Sequence, residues 1–305
     1  MSYELDWNVA IYCQNEEKRL QGCLERVVAA LAGRRALVTV ILNGSQDRSL
    51  DIAREVAMAG APIEIFQIGS GDKSNAINQF IYTLRSLARL YGAVDGYAYI
   101  ASASFRAMEE QLETDPDAVA VTGICANGRT MNLATQNTLT VGGQLHGQLH
   151  AFRADFFDRM VARGIKLPVG TYWGDGLLGS MAAHDLDALS QPWENSRIAG
   201  VAAATYEIPM LSPFKFDDVR RQFRRKVRQM RGQIQNAAIS EVIYCAGYEG
   251  LPDDADEMVE SFLANHAPPK IGWPDRIFRM LAIREIRRPS EREPASLLPY
   301  RVILK

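Results

Sequence analysis

No stretch of this chain reaches the ~18 uninterrupted apolar residues of a membrane span. Its opening segment, MSYELDWNVAIYCQNEE, lacks the basic start and long apolar core of a signal peptide. Cysteine is scarce: Cys13, Cys23, Cys125 and Cys245 are scattered without close metal-ligand spacing, as expected of reduced thiols in a cytoplasmic protein. Neither sign of charge dominates, since a formal net charge of −2 gives no global pull towards nucleic acid or anionic membrane. The segment Val9–Glu17 holds no glycine, so the Gly-rich phosphate loop that a nucleotidyltransferase needs near its N-terminus is missing. Internal repeats and low-complexity tracts are absent as well.

What is present can bury a sizeable core: 305 residues, 47% hydrophobic, suit one large domain or one and a half. Val9–Cys13, Val38–Leu42 and Ile63–Ile68 are short apolar runs of strand length. Between them, Leu20, Cys23, Leu24, Val27, Val28 and Leu31 recur at spacings of three and four, one stripe of a helix that Gly33 closes. Ser45 or Asp47 is placed to cap a second helix through about Met58, and Ala76–Leu87 carries a third helical pattern. A fourth strand is expected in Tyr97–Ser104. Strands alternating with helices predict a mostly parallel sheet with helices on its faces. In such sheets ligands bind beyond the carboxyl ends of the strands. That puts Cys13–Glu17, Asn43–Ser49, Gly69–Ser74 and Ala101–Phe105 along one edge.

The second half is less regular. Val119–Ile124 reads as a buried strand, and 126–137 as a polar loop. Gly142–Phe152 reads as a strand on which His146, Gln148 and His150 share a face. The loop PVGTYWGDGLL leads into a helix from about Leu177. From Phe214 the composition turns basic, with arginines crowding residues 220–231 of one helix.

Several segments on that edge resemble the signature of the family 2 glycosyltransferases. Gln14-Asn15-Glu16-Glu17 is similar to the family's Tyr-Asn-Glu-Glu, and Asn43-Gly44-Ser45-Gln46-Asp47-Arg48-Ser49 to its Asp-Gly-Ser-x-Asp-x-Ser/Thr. Gly71–Asn78 resembles the Gly-Lys-x-x-Ala-x-Asn helix start. Gly174-Asp175-Gly176-Leu177-Leu178 resembles Glu-Asp-x-x-Leu, and Gln222–Lys226 a degraded Gln-x-x-Arg-Trp.

The resemblance implies an α/β GT-A (Rossmann-like) fold with a helical C-terminal region. It divides the chain into a nucleotide-sugar-binding half (1–105), an acceptor-side half (106–213) and a basic, mainly helical region (214–305). It implies a nucleotide-diphosphate sugar donor, a UDP-sugar first, and an unknown acceptor hydroxyl. Gln14, Asn15, Glu17, Asn43, Ser45, Asp47, Lys73, Asn78, Ser102 and Ser104 become donor-binding candidates. Asp175 becomes the catalytic base of an inverting transfer, with Trp173 and His150 on the acceptor side. Plain structural roles stand beside these: Asn43-Gly44 as a turn, Glu17 as a first-turn acid, Asp175 as a helix cap.

The family's fourth strand ends in Asp-x-Asp, which holds a divalent metal; the expected strand here ends in Ser102-Ala103-Ser104. Three readings follow. Transfer could proceed without metal, with Lys73, Arg106, Arg225 and Arg228 neutralising the diphosphate. A Mg or Mn ion could instead sit on His146 and His150. The domain could also be inactive or repurposed, a nucleotide-sugar or partner-binding module. The segment 220–231 is read as a donor-covering or solvated helix, with a peripheral membrane or carrier contact as the alternative; no specific nucleic acid is expected.

Overall fold

The computed structural model describes residues 3–127, 137–209, 216–267, 272–287 and 294–303, without the side chains of 216–221 and 274. Most of the expected polar loop at 126–137, Phe214 and Lys215, the side chains of Arg220 and Arg221, and Pro268 lie outside the described residues.

Three strand–helix units open the chain: β1 (Leu5–Cys13), α1 (Leu20–Ala30), β2 (Ala36–Asn43), α2 (Ser49–Met58), β3 (Ile63–Ile68) and α3 (Lys73–Gln79). The fourth strand differs from expectation. After α3 the backbone makes a π turn over Phe80–Leu84, then enters β4 (Ala88–Asp95). The predicted strand at 97–104 keeps only two residues of β structure, β5 (Tyr99–Ile100), and Ser104 already begins α4 (Ser104–Thr114). Next come β6 (Ala120–Cys125), β7 (Leu149–Arg153), α5 (Ala154–Ala162), α6 (Gly174–Ala183) and β8 (Ile198–Glu207). The C-terminal region supplies α7 (Phe216–Ala246), α8 (Ala255–Asn265), α9 (Arg276–Ile286) and β9 (Pro299–Arg301).

One sheet joins the described strands in the order β5-β8-β6-β7-β4-β1-β2-β3-β9. β1, β2, β3, β4, β6 and β8 run one way, and β5, β7 and β9 the other. Period-two alternation sorts β1 between two cores. Trp7, Val9, Ile11 and Cys13 pack with the apolar stripe of α1 (Leu20, Leu24, Val27) and with Phe105 of α4. Ala10 and Tyr12 face the other layer, where Ile77, Phe80, Phe156, Leu177 and Met181 lie. The second half of α7 joins that layer through Ile234, Ala238, Ile239 and Ile243, while its Val227 and Met230 pack against α9.

Candidate active site

Strand order reverses around β1: β2 lies on one side, reached through α1, and β4 on the other, reached after α3. At such a switch point the loops leave in opposite directions and open a crevice at the carboxyl ends of the strands. Two helix N-termini converge there. Asp72 caps α3, its carboxylate accepting from the Asn75 N–H, and Lys73 is the first residue of the helix. Trp173 precedes α6, which begins at Gly174, three residues before the expected start, so Asp175 lies inside its first turn. The approach is close: a Cβ on Gly174 would come within 2.6 Å of Ser74 Oγ.

Lys73 connects three elements. Its Nζ donates to Asp95 Oδ1 at the end of β4 (2.6 Å) and to Asp175 Oδ2 (2.8 Å), and lies 5.8 Å from the Tyr12 ring centre. Burial alone would raise the Asp175 carboxyl, but the Lys73 ammonium and then His150 outweigh it, holding the group below the usual carboxylate range. Asp95 is pushed up, by burial first; Lys73 opposes this and the nearby Asp175 adds to it. Burial works against the Lys73 ammonium, yet the two carboxylates raise its pKa well above the ordinary lysine value. One cation therefore serves two carboxylates. Asp175 Oδ1 is buried and has no hydrogen-bond partner among the described residues.

Asp95 is held from behind. Tyr97 OH donates to its Oδ2 (2.9 Å), Gln148 Nε2 donates to Tyr97 OH (3.3 Å), and Tyr206 OH donates to Gln148 Oε1 (3.2 Å). Gly147 lies against the ion pair: a Cβ there would overlap Asp175 Oδ2 and stand 3.1 Å from Lys73 Nζ. His150, on β7, is buried, with Nδ1 2.9 Å from the His146 carbonyl oxygen. His146 and Gln148 precede β7 instead of sharing its face, so the predicted strand at 142–152 is corrected to five residues.

The loops after β1 and β2 fasten to each other. Asn15 N–H donates to Ser45 Oγ (3.2 Å), Gln46 N–H to Asn15 Oδ1 (2.8 Å), and Glu17 N–H to Asp47 Oδ2 (2.9 Å). Arg48 N–H donates to Glu17 Oε2 (3.3 Å), and Asp47 Oδ1 accepts from Ser49 N–H (3.0 Å); the N-cap of α2 is Arg48, without a side-chain cap, so neither Ser45 nor Asp47 caps the helix as expected. Buried Asn43 accepts from Asp72 N–H through Oδ1 (2.9 Å), tying β2 to the start of α3. Gln14 is exposed beside Gly71. The structure thus gathers Gln14, Asn15, Glu17, Asn43, Ser45, Asp47 and Lys73 on one edge, with most of their polar groups engaged in holding that edge together.

The remaining sequence candidates have other surroundings. Asn78 is buried and bridges the Leu167 backbone, donating to its carbonyl (2.8 Å) and accepting from its N–H (3.0 Å). Ser102 is exposed, while Ser104 is buried with Oγ donating to the Thr205 carbonyl (3.2 Å). Arg106 points to solvent on α4, in the layer opposite α3 and α6, and pairs with Glu110 at 2.7 Å. Trp173 packs with Tyr172 against Gly232 of α7, and the Arg228 guanidinium lies 5.7 Å from the Tyr172 ring centre. Arg225 is exposed on the same helix.

Asp95, Tyr97 and Gly147 are the site residues that sequence reasoning missed. The apolar run Leu90–Val94 ending in Asp95-Gly96 carried the available signal.

Asp95 and Asp175 are the carboxylates that meet at this site. Among the described residues no group of three or more His, Cys, Asp or Glu is placed to hold one. Lys73 already stands between the two carboxylates, and both ring nitrogens of His146 are engaged, with Thr138 Oγ1 (3.1 Å) and Tyr206 OH (3.2 Å).

No protein-family model matches the sequence, and no curated protein sequence matches it. Solved structures do resemble it. A mannosyltransferase, PcManGT from Pyrobaculum calidifontis in complex with GDP-Man and Mn2+, superposes with a TM-score of 0.59 at 14% identity, covering 93% of this chain and 85% of its own. S. aureus TarS 1-349 in complex with UDP-GlcNAc gives 0.51 at 15% identity, over 92% and 80%. Glucosyl-3-phosphoglycerate synthase from Mycobacterium tuberculosis in complex with phosphoglyceric acid gives 0.52 at 14%, over 82% of each chain. The chain has the GT-A fold of these glycosyltransferases. Among the described residues, no helix is long and apolar enough to cross a membrane.

Proposed function

We propose that this protein is a cytoplasmic, inverting glycosyltransferase that moves a sugar from a nucleotide-diphosphate sugar, a UDP-sugar first, to an acceptor hydroxyl without a bound metal. The donor lies across the carboxyl ends of β1 to β4. Asp175 takes the hydroxyl proton as the acceptor oxygen attacks the anomeric carbon. The bond from that carbon to the diphosphate breaks, and the diphosphate leaves with the electron pair. Trp173 flanks the acceptor side. Losing a metal forfeits several kcal/mol of charge stabilisation unless another cation replaces it. Lys73 provides a fixed point charge, and Arg225 and Arg228 of α7 add guanidinium groups suited to phosphate.

The observation that carries this reading is the state of one carboxylate. Lys73 anchors Asp175 Oδ2, while Oδ1 is buried without a donor among the described residues. Leaving such an acceptor unpaired costs about 1–3 kcal/mol, which a bound hydroxyl recovers. The GDP-Man and UDP-GlcNAc in the mannosyltransferase and TarS complexes support a nucleotide-sugar ligand.

A second reading, a nucleotide-sugar or partner-binding module without turnover, is favoured by the same ion pair, since Lys73 lowers the basicity of Asp175. The two separate in one experiment. Nucleoside diphosphate release from UDP- and GDP-sugars is followed across a panel of hydroxyl acceptors, beside thermal shifts with each donor. Turnover supports transfer. Stabilisation by a donor with no turnover supports the nucleotide-sugar module, and neither effect with any donor sinks both transfer and nucleotide-sugar binding.

A further inference from the structure

A second surface carries chemistry that sugar transfer does not use. The turn Trp273–Asp275 leads straight into α9, whose inner face packs away Ala282 and Ile286 and sets Phe278 and Leu281 against Val227 and Met230 of α7. Its outer face is also apolar. Trp273 is 80% exposed, Ile277 60% and Met280 63%, while the ring of the half-exposed Phe223 of α7 lies 5.3 Å from that of Phe278, tilted by 59°. Isolated exposed apolar residues are ordinary, whereas a tryptophan, an isoleucine and a methionine in succession along one turn and the short helix it opens are not. Arginines border the stripe: Arg276 at its start, Arg284 and Arg287 at its end, all exposed.

The charge there contrasts with the rest of the molecule. Residues 222–231 and 272–287 hold nine Lys and Arg against two acids, Asp275 and Glu285, in a chain whose net charge is −2. Three occupants can be weighed against this. A second copy meeting the face isologously would set the same cations against themselves. A nucleic acid accounts for the arginines but has no use for Ile277 and Met280, which cannot stack on bases. An anionic bilayer accounts for both, because arginines meet the headgroups while Trp and aliphatic side chains enter the headgroup–acyl boundary.

We propose that α9, with the Trp273 turn and the adjoining basic segment of α7, is a peripheral docking surface for an anionic phospholipid bilayer. It carries the expected contact at 220–231 over to α9, which sequence reasoning did not single out. The same α7 packs Gly232 against Trp173, so docking through α9 sets the wall of the candidate active site beside the membrane. Docking requires no turnover, so it stands or falls apart from the proposed catalysis.

The test is flotation of the full chain with vesicles of phosphatidylcholine alone and with about one-third phosphatidylglycerol. The protein should float with the anionic vesicles, weakly or not at all with the neutral ones, and less as salt rises. The triple variant Trp273→Ser, Ile277→Ser, Met280→Ser should lose at least about tenfold in partitioning. Arg276→Glu with Arg284→Glu, which leaves the packed face untouched, should lose as much and carries the test if the triple variant unfolds. Failure of the full chain to float, or flotation unchanged in the charge variant, overturns the proposal. So does a shift from dimer to monomer in either variant, which would make the face a self-interface. Binding of a short DNA duplex in preference to anionic vesicles also overturns it.

Discussion

Lys73 and Asp175 lie 102 positions apart in the chain, yet Nζ of one sits 2.8 Å from Oδ2 of the other, at the meeting of two helix N-termini. Asp95 shares the same ammonium at 2.6 Å. Two carboxylates and the cation between them are thereby fixed on three separate elements.

Asp175→Asn removes the proton acceptor while preserving shape. Transfer should fall by about 10²–10⁴-fold with donor binding kept, as loss of a general base does. Initial rates and a donor titration on the variant check this. A wild-type rate would remove the base assignment.

The pH profile follows from the ion pair. A base must be ionised, so the rate falls as pH drops through its pKa. With Asp175 held below the usual carboxylate range, kcat/KM should stay level down to about pH 4. In Lys73→Met the cation is gone and burial prevails, so the Asp175 pKa rises and the acid limb moves to higher pH. An unshifted limb in that variant would contradict the coupling.

Gly147→Ala tests the space above the pair. Its methyl group would overlap Asp175 Oδ2, so either the carboxylate or the loop must move. Overpacking of this kind costs about 1–3 kcal/mol. Activity should drop out of proportion to the change in melting temperature, measured on the same preparations.

Asn78→Ala separates architecture from donor binding. The buried amide makes two hydrogen bonds to the Leu167 backbone, so the loss should destabilise by about 1–3 kcal/mol. Denaturant unfolding reads that cost, while KM for the donor should stay near wild type. A raised KM with unchanged stability would restore the donor role expected from the sequence.

The first three strands were legible because apolar runs between helical stripes leave little choice, and Ile63–Ile68 matches residue for residue. The fourth was not. Leu84 and Leu87 continue the helical spacing of α3, but the chain passes through a π turn at Phe80–Leu84 and is extended by Ala88. Tyr97–Ser104 then looked like the strand, and Asp95, the real strand end, was passed over. Gly147 was invisible for a different reason: the need for a missing side chain there arises from Asp175, 28 residues further on. Arg106, expected beside the diphosphate, lies on α4, which packs in the layer opposite α3 and α6, and it pairs there with Glu110.

The most direct test is donor turnover by protein stripped with EDTA, followed by titration with Mn2+ or Mg2+. If a lysine ammonium does the work of a cation between Asp95 and Asp175, the rate is the same before and after chelation, and added metal leaves it unchanged. A rate that falls to background on chelation and returns with metal contradicts this.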